Sequence, residues 1–182
     1  MRGPCVYTIG HSTRPIDTLI ELLRAHRVAR LIDVRTYPRS RRNPQFNREA
    51  LPEPLVAAGI SYAHLPALGG RRTPRADSIN TAWREDGFRG YADYMQTPEF
   101  SAGLDALVAE AARQPTAIMC AEAVPWKCHR SLISDALAAR GIEVRHITAL
   151  DRTEPHRMRE FARIEGDRVI YPGQTSLPLG GA

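Results

Sequence analysis

TAIMCAEAVPWKCHRSLISDALAARGIEVRHI, residues 116–147, reads as strand, loop, helix and strand in succession. TAIMC (116–120) and EVRHI (143–147) are short apolar runs. Between them Leu132, Ile133, Ala136 and Leu137 fall on one face of a helical pattern, and Gly141 closes it. The alternation repeats toward the N-terminus. CVYTI (5–9) precedes Gly10-His11-Ser12, after which Ile16, Leu19, Ile20 and Leu23 recur at helical spacing, with Pro15 and Asp17 suited to a first turn. RLIDV (30–34) has the near-continuous apolar character of a strand covered on both faces. FNREALPEPLVAAGI (46–60) is a helical segment broken by Pro52 and Pro54 and ended by Gly59, and ISYAHL (60–65) is a weaker strand.

Residues 66–90, rich in Gly, Arg, Pro and Asp, form a long excursion of the kind that carries binding residues. Thr97 is placed to cap a helix through FSAGLDALVAEAAR (100–113). Tyr91, Tyr94 and Met95 have the spacing of a helix face turned to the core. FARIEGDRVIYPG (161–173) holds two short runs around Gly166-Asp167, which predicts an antiparallel hairpin added to the main sheet. Together these segments predict one α/β domain over residues 1–182, a mostly parallel sheet flanked by helices with a C-terminal antiparallel hairpin.

A chain of 182 residues with 43% hydrophobic content is long enough to bury one ordinary core. No stretch approaches the roughly 20 apolar residues needed to cross a bilayer, so a cytoplasmic protein without membrane contact is expected. Three cysteines are too few for a disulfide framework, and reduced thiols are expected. The net charge of +5 suits an anionic partner. Lys127 is the only lysine among 25 basic residues, so positive charge is carried almost wholly by arginine, which a biased genome composition also produces. Arg35, Arg39, Arg41, Arg42 and Arg48 crowd together with Tyr37 and Phe46 between them, and Arg71, Arg72 and Arg75 follow Gly69-Gly70. Forked guanidinium donors fit phosphate or carboxylate, and aromatic neighbours can stack on a base; a solvated loop is the competing reading.

In an open parallel sheet, ligands bind beyond the carboxyl ends of the strands. That edge should gather Gly10, His11 and Ser12, then Asp33 and Arg35, then Gly69 and Gly70, then Cys120 and Glu122, then His146. Cys128 precedes His129 and Arg130 at the expected helix start, where a positive field favours thiolate. Glu122 is placed to move a proton or to cap that helix, and Ser12 to cap the first helix or bind an anion. Some chemistry is excluded by spacing. Phosphatase-type thiol loops place an arginine six positions after the cysteine, but Trp126 and Ser134 occupy those positions here. Seven residues separate Cys120 from Cys128, more than a zinc knuckle uses, so a metal would need His11, His129 or His146 as well. There is no Walker loop and no G-x-G-x-x-G, so a familiar nucleotide fingerprint is missing and the cofactor stays open.

TIGHS, DVRTYPRS with Phe46, SYAHLPALGG, YADYM, CAEAVPWKCHR, EVRHI and FARIEGDRVIYP together resemble the bacterial and archaeal family called domain of unknown function 488. The likeness spans a core of residues 5–173, leaving 174–182 as a tail, and it implies a single α/β domain without an established reaction. Some members are labelled DNA repair proteins. Many relatives carry charged residues where this chain has Ala123-Val124-Pro125-Trp126, so the ligand near Trp126 is expected to differ.

The leading expectation is an enzyme of transferase or hydrolase type on a phosphate-bearing or nucleotide-like substrate. Arg35, Arg130 and the Arg39–Arg42 group would hold the anion, Cys128 or Cys120 would supply a thiol, and Glu122 or His129 would move protons. A nucleic-acid-binding module and a metal-binding protein using Cys120, Cys128 and a histidine are the alternatives.

Overall fold

The computed structural model describes residues 4–173. In chain order its elements are β1 (Cys5–Gly10), α1 (Ile16–Ala25), β2 (Arg30–Asp33), α2 (Pro52–Ala57), β3 (Ser61–His64), α3 (Asp86–Tyr94) and α4 (Pro98–Arg113). They continue with β4 (Thr116–Cys120), α5 (Arg130–Ala139), β5 (Glu143–Ala149), β6 (Arg152–Pro155), β7 (Arg163–Glu165) and β8 (Arg168–Ile170). Single 3-10 turns lie at Pro44–Phe46, Pro66–Leu68 and Pro125–Lys127.

Six strands form the main sheet in the order β3-β2-β4-β1-β5-β6; the first five run parallel and β6 pairs antiparallel with β5. Strand residues alternate between two apolar layers, as the two-residue period of a strand requires. Ile9, Leu31, Ala117 and Met119 pack with Leu19, Leu23 and Leu55 of α1 and α2. Val6, Ile32, Ile118 and Cys120 pack with residues of α3, α4 and α5 on the other face. The chain therefore moves from β1 to β2 and β3 with helices on one face, and from β4 to β5 with α5 on the other. Reversing direction along a sheet while keeping crossovers right-handed requires that change of face. The connections leaving β1 and β4, which are neighbours, consequently diverge, and a crevice opens beyond their carboxyl ends.

Local expectations hold in several places. The Thr97 side chain caps α4 by accepting from the Phe100 amide at 3.3 Å. Pro52 and Pro54 sit in the first turn of α2 rather than breaking a longer helix, since early helix amides need no intrahelical acceptor. Gly59 and Gly141 take φ of +78° and +74° behind α2 and α5. Tyr91 and Met95 are buried in the core, with the Tyr91 hydroxyl donating to the Leu68 carbonyl at 2.8 Å.

The C-terminal hairpin forms, but as a separate two-stranded sheet of β7 and β8 rather than as an extension of the main one. The main sheet's edge on β5 is already taken by β6, whose RTEP sequence carries no apolar alternation. Val169 and Tyr171 anchor the hairpin in the layer containing α3, α4 and α5. The tail at 174–182 lies outside the described residues. Among those residues no helix is long and apolar enough to cross a membrane.

Candidate functional site

The crevice is a cleft of about 690 Å³ lined by residues that follow β1, β2, β3 and β4; His146, also expected there, lies within β5 and faces a different hollow. His11, Ser12 and Thr13 come from behind β1, Arg35–Asn43 supply several residues behind β2, Gly70 and Arg71 follow β3, and Cys120–Ala123 with Cys128 and His129 follow β4. Two loops are zipped together at its back. The His11 and Ser12 amides donate to the Cys120 and Ala121 carbonyls, each at 2.9 Å. A Cβ on Gly10 would lie 1.7 Å from the Glu122 carbonyl oxygen, so only glycine permits that approach. Gly70 likewise packs against the His129 ring, and Gly69 against Thr36. Ser12 and Arg71, both on the cleft wall, hold left-handed φ of 51° and 57°. Non-glycine residues in that region are uncommon and concentrate at functional sites.

Arg35 is fixed from all sides. It makes a two-pronged ion pair with buried Asp33, with Nε at 2.9 Å and Nη2 at 2.6 Å, and Nη2 also donates to the Phe46 carbonyl at 2.7 Å. Nη1 donates to His11 Nε2 at 3.2 Å. Four of the five guanidinium N–H groups are thereby used, and the fifth has no partner among the described residues. Tyr62 donates to Asp33 at 2.8 Å and completes the carboxylate's shell. His11 is locked as the Nδ1–H tautomer, because Nδ1 faces the Ser12 carbonyl at 2.8 Å and Nε2 faces a donor. Its ring stacks on Phe46 at 4.3 Å, and burial, with Arg35 adding to it, lowers its pKa to about 4. The imidazole is neutral.

Cys120 and Cys128 meet at the floor, with their sulfurs 2.7 Å apart and His129 Nδ1 at 3.4 Å from Cys128. His129 Nε2–H donates to the Val34 carbonyl at 2.9 Å, so Nδ1 keeps its lone pair, and burial lowers this histidine also to about 4. Cys128 does not stand at the helix start that the sequence suggested. α5 begins at Arg130, and Cys128 ends the 3-10 turn before it with its sulfur donating to Cys120. That donation, together with burial, raises the Cys128 pKa well above the ordinary thiol value. For Cys120, burial works against ionisation but is outweighed by the Cys128 donor, the Arg130 charge and the Glu122 backbone, and its pKa falls. Of the two thiols, Cys120 is shifted toward ionisation and Cys128 away from it.

Arg130 is buried beneath the cleft rather than lining it. It donates to Thr8 Oγ1 at 3.2 Å and to the Glu122 and Ala123 carbonyls at 2.9 and 3.3 Å. Its Nε has no partner and no carboxylate pairs with it among the described residues. A nearby positive charge favours the ionised form of an acid, and the Arg130 charge is among the causes that lower the Cys120 pKa. The other expected residues separate. Glu122 lines the cleft but is exposed and caps no helix, and Ser12 caps none either. Arg39 lines the rim, paired with Glu49 at 2.9 Å. Trp126 lies outside, on a second hollow of about 450 Å³ with His146 and His156.

Sequence reasoning missed the chain of hydrogen bonds behind that hollow. Thr8 O–H donates to His146 Nδ1 at 2.6 Å, His146 Nε2–H to His156 Nδ1 at 3.0 Å, and His156 Nε2–H to Asp135 at 2.7 Å. Tyr171 donates to the other Asp135 oxygen at 2.7 Å. The carboxylate at one end, which can only accept, fixes every tautomer back to Arg130. Its members are far apart in sequence and no local spacing marks them. Among the described residues no three His, Cys, Asp or Glu side chains gather to hold a metal ion.

The fold and the site define a doubly wound α/β protein with a basic, thiol-floored cleft at its switch point. The chain belongs to the family described as Domain of unknown function DUF488, whose model matches residues 15–137. The match takes in Arg35, Gly69-Gly70 and Cys120 to Arg130 but not Gly10 to Ser12, nor β5 to β8. No curated protein and no solved structure matches the chain.

Proposed function

We propose that the protein is an enzyme that binds an anionic, phosphate-bearing small molecule in this cleft and transfers a group from it through Cys120. The observation that carries the reading is the convergence of Arg35, Arg42 and Arg71 on one cleft with the Cys120 sulfur at its floor. Arg42 and Arg71 make no ion pair among the described residues, and Arg35 keeps one N–H free. Charge-assisted donors of this kind orient a phosphate, and a thiolate beside them is a nucleophile at neutral pH. Cys128 S–H, held against Cys120, is placed to supply a proton to a leaving group. Three unbridged cysteines are in keeping with the reducing cytoplasm.

Calorimetry with inorganic phosphate and nucleoside phosphates tests this. The paired substitution Arg42→Gln, Arg71→Gln should weaken binding about 10-fold or more, since each charge-assisted hydrogen bond contributes about 1.5–3 kcal/mol. Equal affinity in the variant and the parent overturns the reading.

A nucleic-acid partner is the second reading. It is favoured by Tyr37, which is 67% exposed at the cleft's rim with the Arg71 guanidinium 5.4 Å from its ring centre. Binding to single strands should then weaken with salt by about 0.7 logarithmic units per phosphate contacted, per decade of salt. Replacing Arg39, Arg41 and Arg42 together should flatten that slope; an unchanged slope, or no binding at low salt, removes this reading.

A further inference from the structure

Cys120 and Cys128 approach each other far more closely than packing requires. Carbon atoms settle at about 3.5–4.0 Å in non-bonded contact, and sulfur is larger, yet these sulfurs stand 2.7 Å apart. Both are held by well-fixed backbone. Cys120 ends the central strand β4, and Cys128 is pinned by its amide to the Pro125 carbonyl and by the Ser131 amide and hydroxyl to its own carbonyl, at 3.0–3.1 Å. Both cysteines line the same cleft and are almost fully buried, at 1% and 6% exposure. Cys5 lies at the opposite end of β1, half-buried and without a second sulfur in contact.

We propose that Cys120 and Cys128 are a two-electron redox couple that reduces a small hydroperoxide and closes to an intramolecular disulfide. The Cys120 thiolate attacks the near oxygen of the peroxide; the O–O bond breaks, and the departing hydroxide takes a proton to leave as water. Cys120 then carries a sulfenic acid. The Cys128 sulfur attacks the oxidised sulfur, the S–OH bond breaks, and the hydroxide leaves with the thiol proton as a second water. Overall, two thiols and one peroxide give one disulfide and two waters, and an external thiol resets the pair. Closure also consumes the nucleophile that the group-transfer reading requires, so the cleft's chemistry depends on redox state. That consequence rests on the preceding reading; the couple does not.

The test uses the full chain and one equivalent of hydrogen peroxide, followed by alkylation and tryptic mass spectrometry. Cleavage after Lys127 puts the two cysteines on separate peptides, 114–127 and 128–130. The expected product joins these peptides with the loss of two hydrogens, is reversed by dithiothreitol, and forms about tenfold or more faster than any oxidation of Cys5, as one pKa unit of thiolate advantage provides. Cys128→Ser should instead accumulate a dimedone-trapped sulfenic acid on Cys120. Unlinked peptides in the parent protein, or Cys5 oxidised first, overturn the couple whether or not the variant folds. Linked peptides without phosphate binding would remove only the anion reading, and phosphate binding with unlinked peptides would remove only the couple.

Discussion

Gly10 shows how one position joins fold to site. It ends β1 where the next loop must cross, and an added methyl would collide with the Glu122 carbonyl. Gly10→Ala should destabilise the protein by about 1–3 kcal/mol or more, the cost of overpacking a fixed core, read as a lower urea midpoint at an unchanged slope. Cys128 shows the limit of sequence at this scale. Its neighbours His129 and Arg130 were legible and pointed to an acidic thiol there, but Cys128 stands before the helix, contact with Cys120 and burial raise its pKa, and Arg130 turns inward. Side-chain direction decides that, and spacing does not carry it. Arg130→Met should accordingly shift Cys120 alkylation to higher pH, since the sulfur loses its counter-charge; an unmoved profile would mean that Arg130 does not hold the thiolate.

Among the elements, the five parallel strands were readable because buried parallel strands are apolar throughout, and the pairing of their following loops at one edge was readable with them. β6 was not, being short, polar and exposed. The hairpin was recognised by its Gly166 turn, but its docking depends on Tyr171, whose hydroxyl reaches Asp135 on α5. Tyr171→Phe leaves that oxygen without its donor in a buried place and should cost about 1–3 kcal/mol. Chemical denaturation checks it, and a change within error would show that water replaces the hydroxyl.

Across the whole molecule, three buried histidines are held neutral. Burial, the largest cause in each, lowers His11 and His129 to about 4 and His146 to about 3, from an ordinary value of 6.5. The unfolded chain takes up these protons between pH 6.5 and 4 while the folded chain does not. Stability is therefore whole above about pH 6.5 and falls as pH drops toward 4, which urea unfolding over that range would record; a flat profile would contradict the neutral assignments. The central proposal is that Cys120 is an acidic thiol at the floor of a cleft that binds anions. The pH dependence of iodoacetamide labelling in the folded protein, read on peptide 114–127 with and without phosphate, tests it most directly. Cys5, pushed up to about 11 by burial and Glu143, is the internal reference. The account predicts a Cys120 midpoint below the ordinary thiol value of about 8.5 and protection by phosphate. A midpoint at or above that of Cys5, with labelling indifferent to phosphate, would contradict it.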